Sequence, residues 1–247
     1  MIYLTLIMPF YNEEKLLESA ASEMLDALKN TTKSHQLILV DDGSRDQSAR
    51  IAKKLETRYS KHVKLLTHAH NQGFGAAMKT GIANAEGEFC MIIPVDCPLS
   101  ANEIKPFLEK APQADLVLGY RPERRGYNWI MKMNTRFYHS LLRSIYGITY
   151  RDVNWIQLYR TKIFSVIEIT TTGVMMLAEV VIKAQYLHFR IAEIPCEMKK
   201  RIHGTPSAAR FKVMQRTARQ FVIFFVRWFF DAKHFRPISS AKVMTHS

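Results

Sequence analysis

The sequence predicts an α/β fold in which a mainly parallel central sheet is flanked by helices. Strand-like and helix-like patterns alternate through the first half of the 247-residue chain. The strands are short, continuous apolar runs, which is typical of a sheet covered on both faces. Polar residues follow several strands directly, at the edge where α/β proteins bind their ligands.

The predicted elements follow one another in a regular order up to residue 120. The predicted strands are residues 2–8, 37–40, 63–67, 89–93 and 116–118, and the predicted helices are residues 14–28, 47–59, 73–85 and 102–110. Beyond residue 120 we expect helices at 127–145, 173–186 and 208–230, and an edge strand at 190–195 that ends on a proline. No linker separates the halves, so the second is expected to extend the same domain.

The positive charge is concentrated in the second half of the chain. Residues 1–120 carry a net charge of −2 and residues 121–247 carry +15, which together give +13. Ten basic residues and the single acid Asp231 lie within residues 199–236. This asymmetry indicates a nucleic acid, an anionic membrane or a phosphorylated substrate as the partner.

The sequence predicts a cytoplasmic protein. Cys90, Cys97 and Cys196 show neither paired nor metal-ligand spacing, which favours a reducing compartment. Residues 1–10 are apolar but lack the basic start of a secretory signal. The longest aromatic apolar run, residues 221–230, is interrupted by Arg227 and is too short to cross a bilayer.

The second strand runs into Asp41, Asp42, Gly43 and Ser44. Two carboxylates at the end of a buried strand are costly unless they are paired or bound to something. A ligand at this edge would explain them. The alternative is that Asp42 or Ser44 caps the next helix, which is predicted to start near Asp46.

Three further strands also end in residues suited to a ligand site. After the first strand, Pro9 ends the ladder, Tyr11 offers a flat face for a base, and Glu13 offers an acceptor. A simple helix start capped by Asn12 is the alternative there. After the fourth strand, Asp96 is expected near Asp41 and Asp42, where it could hold a hard cation.

Residues 71–77 follow the third strand and contain two glycines at a predicted helix start. Glycines let a backbone approach a ligand closely, and a helix N-terminus attracts anions. The dinucleotide fingerprint is absent because Met78 stands where its third glycine would be. Close packing of the helix on the sheet explains the glycines equally well.

Taken in order, these strand-end motifs resemble a family 2 glycosyltransferase of the GT-A fold. The order is similar to the branch that transfers sugars to polyprenyl (dolichol) phosphate, and the resemblance covers roughly residues 1–220. It continues through residues 119–121, 152–155, Glu179 and 201–204. It implies a donor half at 1–120, an acceptor half at 121–207, and a separate helix and tail at 208–247.

The resemblance implies a role for each matching residue. The residues that would surround the base and ribose of a UDP- or GDP-sugar are Pro9, Tyr11, Glu13, Asp41 and Asp42. Asp96 would sit at the diphosphate and its Mg²⁺ or Mn²⁺, and Arg121 would contact the donor phosphates or sugar. The loop that meets the acceptor phosphate would contain Arg201, His203 and Ser207.

The chain departs from the family pattern at the metal site and in the acceptor loop. Family members usually carry a second acid two residues after the first, but Pro98 stands at that position and offers no ligand. Asp96 is thus the one metal ligand that the sequence supplies, and metal-independent turnover stays open. In the acceptor loop, His203 replaces a second basic residue and one extra residue precedes Ser207.

The resemblance implies an inverting displacement at the anomeric carbon, with a nucleoside diphosphate leaving. A lipid phosphate needs no general base, whereas a hydroxyl acceptor of a glycan or lipid does, and Glu179 is the candidate base. An exposed or capping glutamate is the alternative interpretation of that residue. The third possibility, motivated by Pro98, is a catalytically silent nucleotide-sugar binder.

The C-terminal helix combines a basic stretch with an aromatic one and is expected to lie in a membrane interface. A core or dimer helix is the alternative, so homo-oligomerisation stays open. Nucleic acid would explain the bases but not the phenylalanines, and no nucleic-acid motif is present. We therefore expect a peripheral protein on the cytoplasmic face of an anionic membrane, active in cell-envelope glycan synthesis.

Overall fold

A computed structural model of the chain describes residues 1–31, 34–96, 99, 101–122, 129–173, 175–197 and 211–230. Its strands are β1 (Leu4–Phe10), β2 (His35–Asp41), β3 (Val63–Thr67), β4 (Phe89–Ile92), β5 (Leu116–Tyr120), β6 (Gln157–Arg160) and β7 (Ile191–Pro195). Its α-helices are α1 (Leu17–Thr31), α2 (Ser48–Arg58), α3 (Phe74–Ala83), α4 (Ile104–Lys110), α5 (Trp129–Tyr146), α6 (Met175–Tyr186) and α7 (Phe211–Phe230). The predicted α/β class is confirmed.

The seven strands form one sheet in the order β3-β2-β1-β4-β6-β5-β7. β1 pairs in parallel with β2 and β4, β2 pairs in parallel with β3, and β5 pairs in parallel with β7. The mainly parallel sheet and the edge position of β7 were both predicted. Strands from both halves of the chain belong to this one sheet.

Strand β6 was not predicted from the sequence, and it is antiparallel to both of its neighbours, β4 and β5. It is only four residues long and lies between polar segments, so its pattern is too short to recognise. Its position means that the second half of the chain supplies a strand to the interior of the sheet.

Helices cover both faces of the sheet, and the continuous apolar strands follow from this. Leu4, Leu6 and Met8 of β1 pack in the core cluster that includes α1, α2 and α4. Ile7, which points to the opposite face, packs in the cluster that includes α3, α5, α6 and α7. All seven residues of β1 are buried because both of its faces are covered.

The strand directions bring the loops of interest to one edge of the sheet, called the carboxyl edge below. β1 to β4 are mutually parallel, and β5 runs with them because β6 is antiparallel to both β4 and β5. The segments after β1, β2, β3, β4, β5 and β7 therefore lie at this edge. The segment before β6 lies there too, since β6 runs the other way.

Pro9 lies inside β1 rather than ending it, which corrects the sequence expectation. It is paired with Val40 of β2. Its missing N–H faces the β4 side, where the paired residues end at Ile7 and Ile92. Proline is therefore tolerated in a central strand because its N–H falls beyond the end of the β4 ladder.

Candidate active site

The loops after β1 and β2 are joined by hydrogen bonds between side chains and backbone. The backbone N–H of Asn12 donates to Ser44 Oγ at 3.0 Å, and Arg45 N–H donates to Asn12 Oδ1 at 2.8 Å. Glu13 N–H donates to Ser48 Oγ at 2.8 Å. Asn12 adopts a left-handed conformation with φ 55°, which asparagine tolerates better than most residues. These bonds hold the two loops in one fixed arrangement.

Neither Asp42 nor Ser44 caps α2, so the capping alternative for these residues is wrong. The N-cap position is Gln47, which makes no side-chain cap hydrogen bond. Asp46 instead accepts from Ser48 N–H at 2.9 Å and from Glu14 N–H at 3.2 Å. Slight burial raises the pKa of Asp46, but these hydrogen bonds lower it further, so its pKa lies below the usual value.

Asp42 is buried, with 3% of its surface exposed, and it ties β2 to the start of α3. Its carboxylate accepts from Gln72 N–H at 2.9 Å, from Gly73 N–H at 2.7 Å and from His68 Nδ1 at 2.8 Å. His68 Nε2 in turn lies 2.9 Å from Thr80 Oγ1. Both oxygens of Asp42 are thus engaged in shaping the glycine-containing loop.

Asp41 is 1% exposed and shapes the turn at the end of β2. Its Oδ1 accepts from Ser44 N–H at 2.9 Å. Gly43 has φ +74°, and a Cβ at this position would lie 2.6 Å from the carbonyl carbon of His70. Glycine is therefore required both for the conformation and for the close approach of the loop after β3.

Tyr11, Glu13 and Asp96 lie at the open side of the same edge. Tyr11 is 40% exposed, Glu13 is half-buried and Asp96 is exposed. The pKa of Glu13 is raised by burial and then by the negative charges of Asp96 and Asp46. The Glu13 and Asp96 carboxylates are therefore close enough to repel each other. These two acids come from different strand ends, as the sequence predicted.

Arg121 follows β5 and is held by Asp152, which precedes β6. Its Nε and one terminal nitrogen both lie 2.8 Å from Asp152 Oδ2. The guanidinium also stacks over Trp155, with 4.6 Å from Cζ to the ring centroid. The side chains of Asp152 and Arg121 are 2% and 9% exposed. The pair and the ring fix the position of the guanidinium at the carboxyl edge.

Helix α5 places Tyr138 near this ion pair. The Tyr138 hydroxyl donates to Met175 Sδ at 3.5 Å, and its pKa is raised first by burial and then by the negative charge of Asp152. Burial raises the pKa of Tyr138 to about 12, so its hydroxyl stays protonated at neutral pH. Asp152 was included in the family resemblance without a role, because its partner Arg121 lies 31 residues earlier in the chain.

Glu179 is completely buried on α6 and pairs with Lys183, which lies one turn later. Lys183 Nζ lies 2.6 Å from Glu179 Oε1 and also donates to the carbonyl of Glu168 at 2.7 Å. Thr170 and Thr171 each donate to Glu179 through both their N–H and their hydroxyl. Burial raises the pKa of Glu179, but Lys183 and the threonines lower it more, so it lies below the usual value.

This geometry differs from what the sequence analysis considered for Glu179. A general base must reach the proton it removes, and here both oxygens are filled by the protein's own donors. The exposed or capping alternative does not fit either, since no part of the residue is exposed. The i, i+4 spacing of Glu179 and Lys183 was the signal that could have indicated a paired carboxylate.

The loop that Glu179 holds packs against the start of α3. A Cβ on Gly75 would lie 2.7 Å from the N of Gly173 and 2.9 Å from Cα of Thr172. Gly75 is therefore the position at which this loop meets the glycine-containing helix start. Thr172 N–H also donates to Gln220 of α7, at 3.4 Å.

Several sequence-predicted residues fall outside the described part of the chain. Arg201, His203 and Ser207 lie within residues 198–210, outside the part of the chain that the structure describes. Cys97 and Pro98 also lie outside it. Within the described ranges, no group of three or more His, Cys, Asp or Glu side chains is placed to hold a metal ion.

Comparison with known proteins identifies the family. The model of glycosyl transferase family 2 matches residues 5–181. A dolichyl-phosphate beta-glucosyltransferase of Trichomonas vaginalis is 28% identical over 159 residues, which cover 60% of this chain and 46% of that protein. An undecaprenyl-phosphate 4-deoxy-4-formamido-L-arabinose transferase of Edwardsiella ictaluri is 24% identical over 216 residues, 86% of this chain and 65% of that protein.

Solved structures show the same fold. Glucosyl-3-phosphoglycerate synthase from Mycobacterium tuberculosis in complex with UDP has a TM-score of 0.65 and 16% identity, covering 91% of this chain and 79% of that chain. Its complex with Mn²⁺, UDP and phosphoglyceric acid gives a TM-score of 0.66. At this identity the likeness concerns the fold alone, which is the GT-A type expected from the sequence.

The family match spans most of the sheet and the helices through α6, including Asp41, Asp42, Asp96, Arg121 and Glu179. The matches to the two relatives cover 46% and 65% of those relatives' own length. The resemblance drawn from the strand-end motifs is confirmed: this chain belongs to glycosyl transferase family 2.

Proposed function

We propose that the chain transfers a sugar from a nucleoside diphosphate to a polyprenyl phosphate at a membrane surface. The observation that carries the proposal is the carboxyl edge, where acidic loops lie beside an arginine held in place by Asp152. The acidic loops suit the hydroxyls and base of a nucleotide, and the arginine suits phosphate groups. The names of the polyprenyl-phosphate sugar transferases that resemble the chain support this acceptor.

On the donor side, Tyr11 would stack on the base while Glu13 and Asp41 would accept from base or ribose groups. Asp42 would act differently from its sequence assignment, because its oxygens already accept from Gln72, Gly73 and His68. It would hold the backbone that faces the nucleotide. Pro9, which pairs with Val40 near the end of β1, would lie at the base of this loop.

Asp96 would lie at the donor diphosphate and hold a divalent cation, Mg²⁺ or Mn²⁺. The nearby Glu13 carboxylate, whose pKa Asp96 helps to raise, fits such a site because a cation would relieve the repulsion between them. Hard cations take six or more oxygen ligands, so diphosphate oxygens and water would complete the shell. When bound, the cation would neutralise charge developing on the leaving group.

In the proposed reaction, an oxygen of the lipid phosphate attacks the anomeric carbon from the face opposite the diphosphate. A carbon–oxygen bond forms to the acceptor, the bond to the diphosphate breaks, and the nucleoside diphosphate leaves with the electron pair. Arg121 would stabilise the charge on the leaving oxygens. The acceptor is already an anion, so no general base is needed, in keeping with the buried and fully engaged Glu179.

The acceptor phosphate would meet residues 198–210, in which Arg201, His203 and Ser207 are the proposed contacts. We retain the division into a donor half at 1–120, an acceptor half at 121–207 and a C-terminal membrane-interface segment at 208–247. No helix within the described residues is long and apolar enough to cross a membrane. Peripheral attachment on the cytoplasmic face is part of the proposal.

The test is a reaction panel with purified full-length chain. UDP- and GDP-sugars are each incubated with polyprenyl phosphate or with a lipid alcohol, in Mg²⁺, Mn²⁺ or EDTA. Release of nucleoside diphosphate that requires the lipid phosphate is the expected result. Release with the alcohol would favour the hydroxyl-acceptor alternative. Donor binding by calorimetry without release under any condition would favour the silent binder.

A further inference from the structure

We propose that the outer faces of α5 and α7 together form a docking surface for an anionic lipid bilayer. The proposal rests on the proposed function, because it supplies the surface that would bring the carboxyl edge to a membrane-bound acceptor. The apolar members of this docking surface are Trp129, Met133, Phe137, Val222, Val226, Phe229 and Phe230. Its basic members are Lys132, Arg136, Arg143, Arg219 and Arg227.

Helix α5 exposes three large apolar side chains in one stripe. Trp129, Met133 and Phe137 are 70%, 55% and 66% exposed, and their spacing of four residues puts them on neighbouring turns of one face. Clustered exposed apolar groups of this size mark interaction sites in soluble proteins. The sequence predicted membrane contact for the C-terminal helix alone, so this stripe adds a second element.

The same outer face of α5 carries its positive charge. Lys132, Arg136 and Arg143 are exposed, and at 100° per residue they fall along one flank of the apolar stripe. No acidic residue occurs in α5. An interfacial helix needs this combination, with apolar groups at the acyl boundary and bases at the lipid phosphates.

Helix α7 repeats the pattern. Val222, Val226, Phe229 and Phe230 are exposed, the last of them to 81%. Arg219 and Arg227 are exposed on the same helix, which also contains no acidic residue. Its sequence therefore offers nothing that an anionic surface would repel.

The inner faces of the two helices pack on each other. The Tyr138 and Phe221 rings lie 6.3 Å apart, and the Tyr146 ring lies 5.6 Å from Phe224 and 5.4 Å from Trp228. Phe224 is 1% exposed. The aromatic groups of the inner faces thus serve the core, and the outer apolar groups remain for an external partner.

The positive charge of the docking surface favours an anionic bilayer as its partner over a second copy of the chain. A symmetric dimer uses the same patch on both subunits, so a dimer through this surface would oppose the bases of one copy to those of the other. An anionic bilayer surface is complementary to these bases instead. The mixture of arginine and aromatic side chains fits the boundary between head groups and acyl chains.

The docking surface lies one helix away from the candidate active site. Tyr138 on the inner face of α5 packs against the core cluster that contains Val153, the neighbour of Asp152, and the charge of Asp152 adds to burial in raising the pKa of Tyr138. Asp152 holds Arg121. A bilayer bound to the outer face of α5 would therefore bring its head groups close to Arg121, which we place at the reacting phosphates.

The experiment is co-sedimentation of the full-length chain with vesicles of phosphatidylcholine, with and without phosphatidylglycerol. Two triple variants test the α5 surface: W129S/M133S/F137S and K132Q/R136Q/R143Q. The matched control R50Q/K54Q/K61Q removes three exposed bases from α2 and the turn after it. Wild type and control should bind anionic vesicles equally, and each α5 variant should bind at least roughly tenfold more weakly.

Circular dichroism and thermal unfolding verify that each variant folds, and F137S alone replaces the apolar triple if that variant does not. Equal sedimentation of folded α5 variants and wild type would overturn the proposal. So would a change in oligomeric state by light scattering without a change in vesicle binding, which would identify a protein interface.

Turnover with a short, water-soluble isoprenoid phosphate separates this proposal from the proposed function. The α5 variants should retain that turnover while losing activity on polyprenyl phosphate in anionic vesicles. Turnover on the soluble acceptor with no wild-type vesicle binding would overturn the docking surface alone. Vesicle binding without turnover on any isoprenoid phosphate would overturn the proposed function alone.

Discussion

The two sides of the carboxyl edge are held in shape by different interactions. On the β1–β3 side, loops are joined by hydrogen bonds from backbone N–H groups to short side chains such as Ser44, Ser48 and Asp42. On the β5–β7 side, ion pairs and aromatic contacts dominate, as in Arg121 with Asp152 and Trp155. The net charge also differs, at −2 for residues 1–120 and +15 for the remainder.

The difference matches the two kinds of ligand in the proposed reaction. A nucleotide is polar and needs hydrogen-bond donors and acceptors in fixed orientations. Loops that are already held by hydrogen bonds supply them with little rearrangement of the protein when the ligand binds. A lipid phosphate is anionic and attached to an apolar chain, so positive charge and aromatic surface suit it. Substitutions on the two sides should therefore differ in whether they lower stability, donor affinity or turnover.

The largest effect is expected at the buried ion pair of Glu179 and Lys183, in the second half of the chain. E179Q leaves Lys183 charged and buried, so we expect a loss of about 3–5 kcal/mol in the free energy of unfolding. Adding K183M removes that charge and should restore part of the loss. Urea unfolding measures both. A stable E179Q protein without turnover would instead indicate that Glu179 acts in the chemistry.

The same pair predicts a pH dependence of stability. Because the pKa of Glu179 is lower in the folded chain than in the unfolded one, its contribution is complete above the ordinary glutamate value of about 4.3. It is lost as the pH falls through the lowered value. The difference in unfolding free energy between wild type and E179Q should therefore be largest near neutrality and shrink in acid.

A somewhat smaller effect is expected at Asp42, on the first side. D42N replaces one acceptor oxygen by an amide that faces backbone N–H groups, so we expect a loss of roughly 2–3 kcal/mol of stability. Nucleotide-sugar affinity should fall with it, as measured by calorimetry. T80V, which removes only the outer hydroxyl contact of His68, is the milder control. Weaker nucleotide-sugar binding by D42N with unchanged stability would indicate that Asp42 contacts the base directly.

The next effect concerns catalysis rather than folding. D152N should lower kcat/KM roughly tenfold, because the charge-assisted contacts that orient Arg121 are weakened. R121K should do the same, since lysine can neither bridge the carboxylate nor stack in the same way. R151Q, on the neighbouring exposed arginine that stacks over Tyr120 at 4.5 Å, should leave turnover unchanged. An equal loss in R151Q would show that net charge alone matters.

The smallest effect is expected at a single loop contact. S44A removes the oxygen that accepts from Asn12 N–H, so we expect about 1 kcal/mol less stability and a slightly higher KM for the donor. S60A, at an exposed serine between α2 and β3, is the control. A lower kcat for S44A with an unchanged KM would argue against a role of these hydrogen-bonded loops in donor binding.

The sequence predicted the elements that carry a strong local pattern. Strands such as β1 and β2 are buried on both faces, so their unbroken apolar runs identify them. Since parallel strands end at one edge, Asp96 was expected near Asp41 and Asp42, and the structure shows its charge acting on Glu13 of the neighbouring strand end. Arg121 was assigned through the family resemblance, and the structure places it at that edge because β5 runs in the same direction as β1.

Other features depend on contacts that no local pattern encodes. β6 is a strand because its neighbours on both sides pair with it, over only four residues. Asp42 was assigned to the ligand, yet its partners Gln72 and Gly73 lie 30 residues further along the chain. Glu179 is similar, since only the folded loop of Thr170 and Thr171 shows that its oxygens are filled.

The place of β6 in the sheet also affects how the chain is made. During synthesis, β4 is complete in sequence when residue 92 has been added, but its outer neighbour β6 ends only at Arg160. β5 appears in between and cannot bridge the gap, because in the finished sheet it pairs with β6 and β7. The first half therefore carries an open strand edge while almost 70 further residues are translated, a period of several seconds at ribosomal rates. Nascent-chain aggregation should concentrate in that interval.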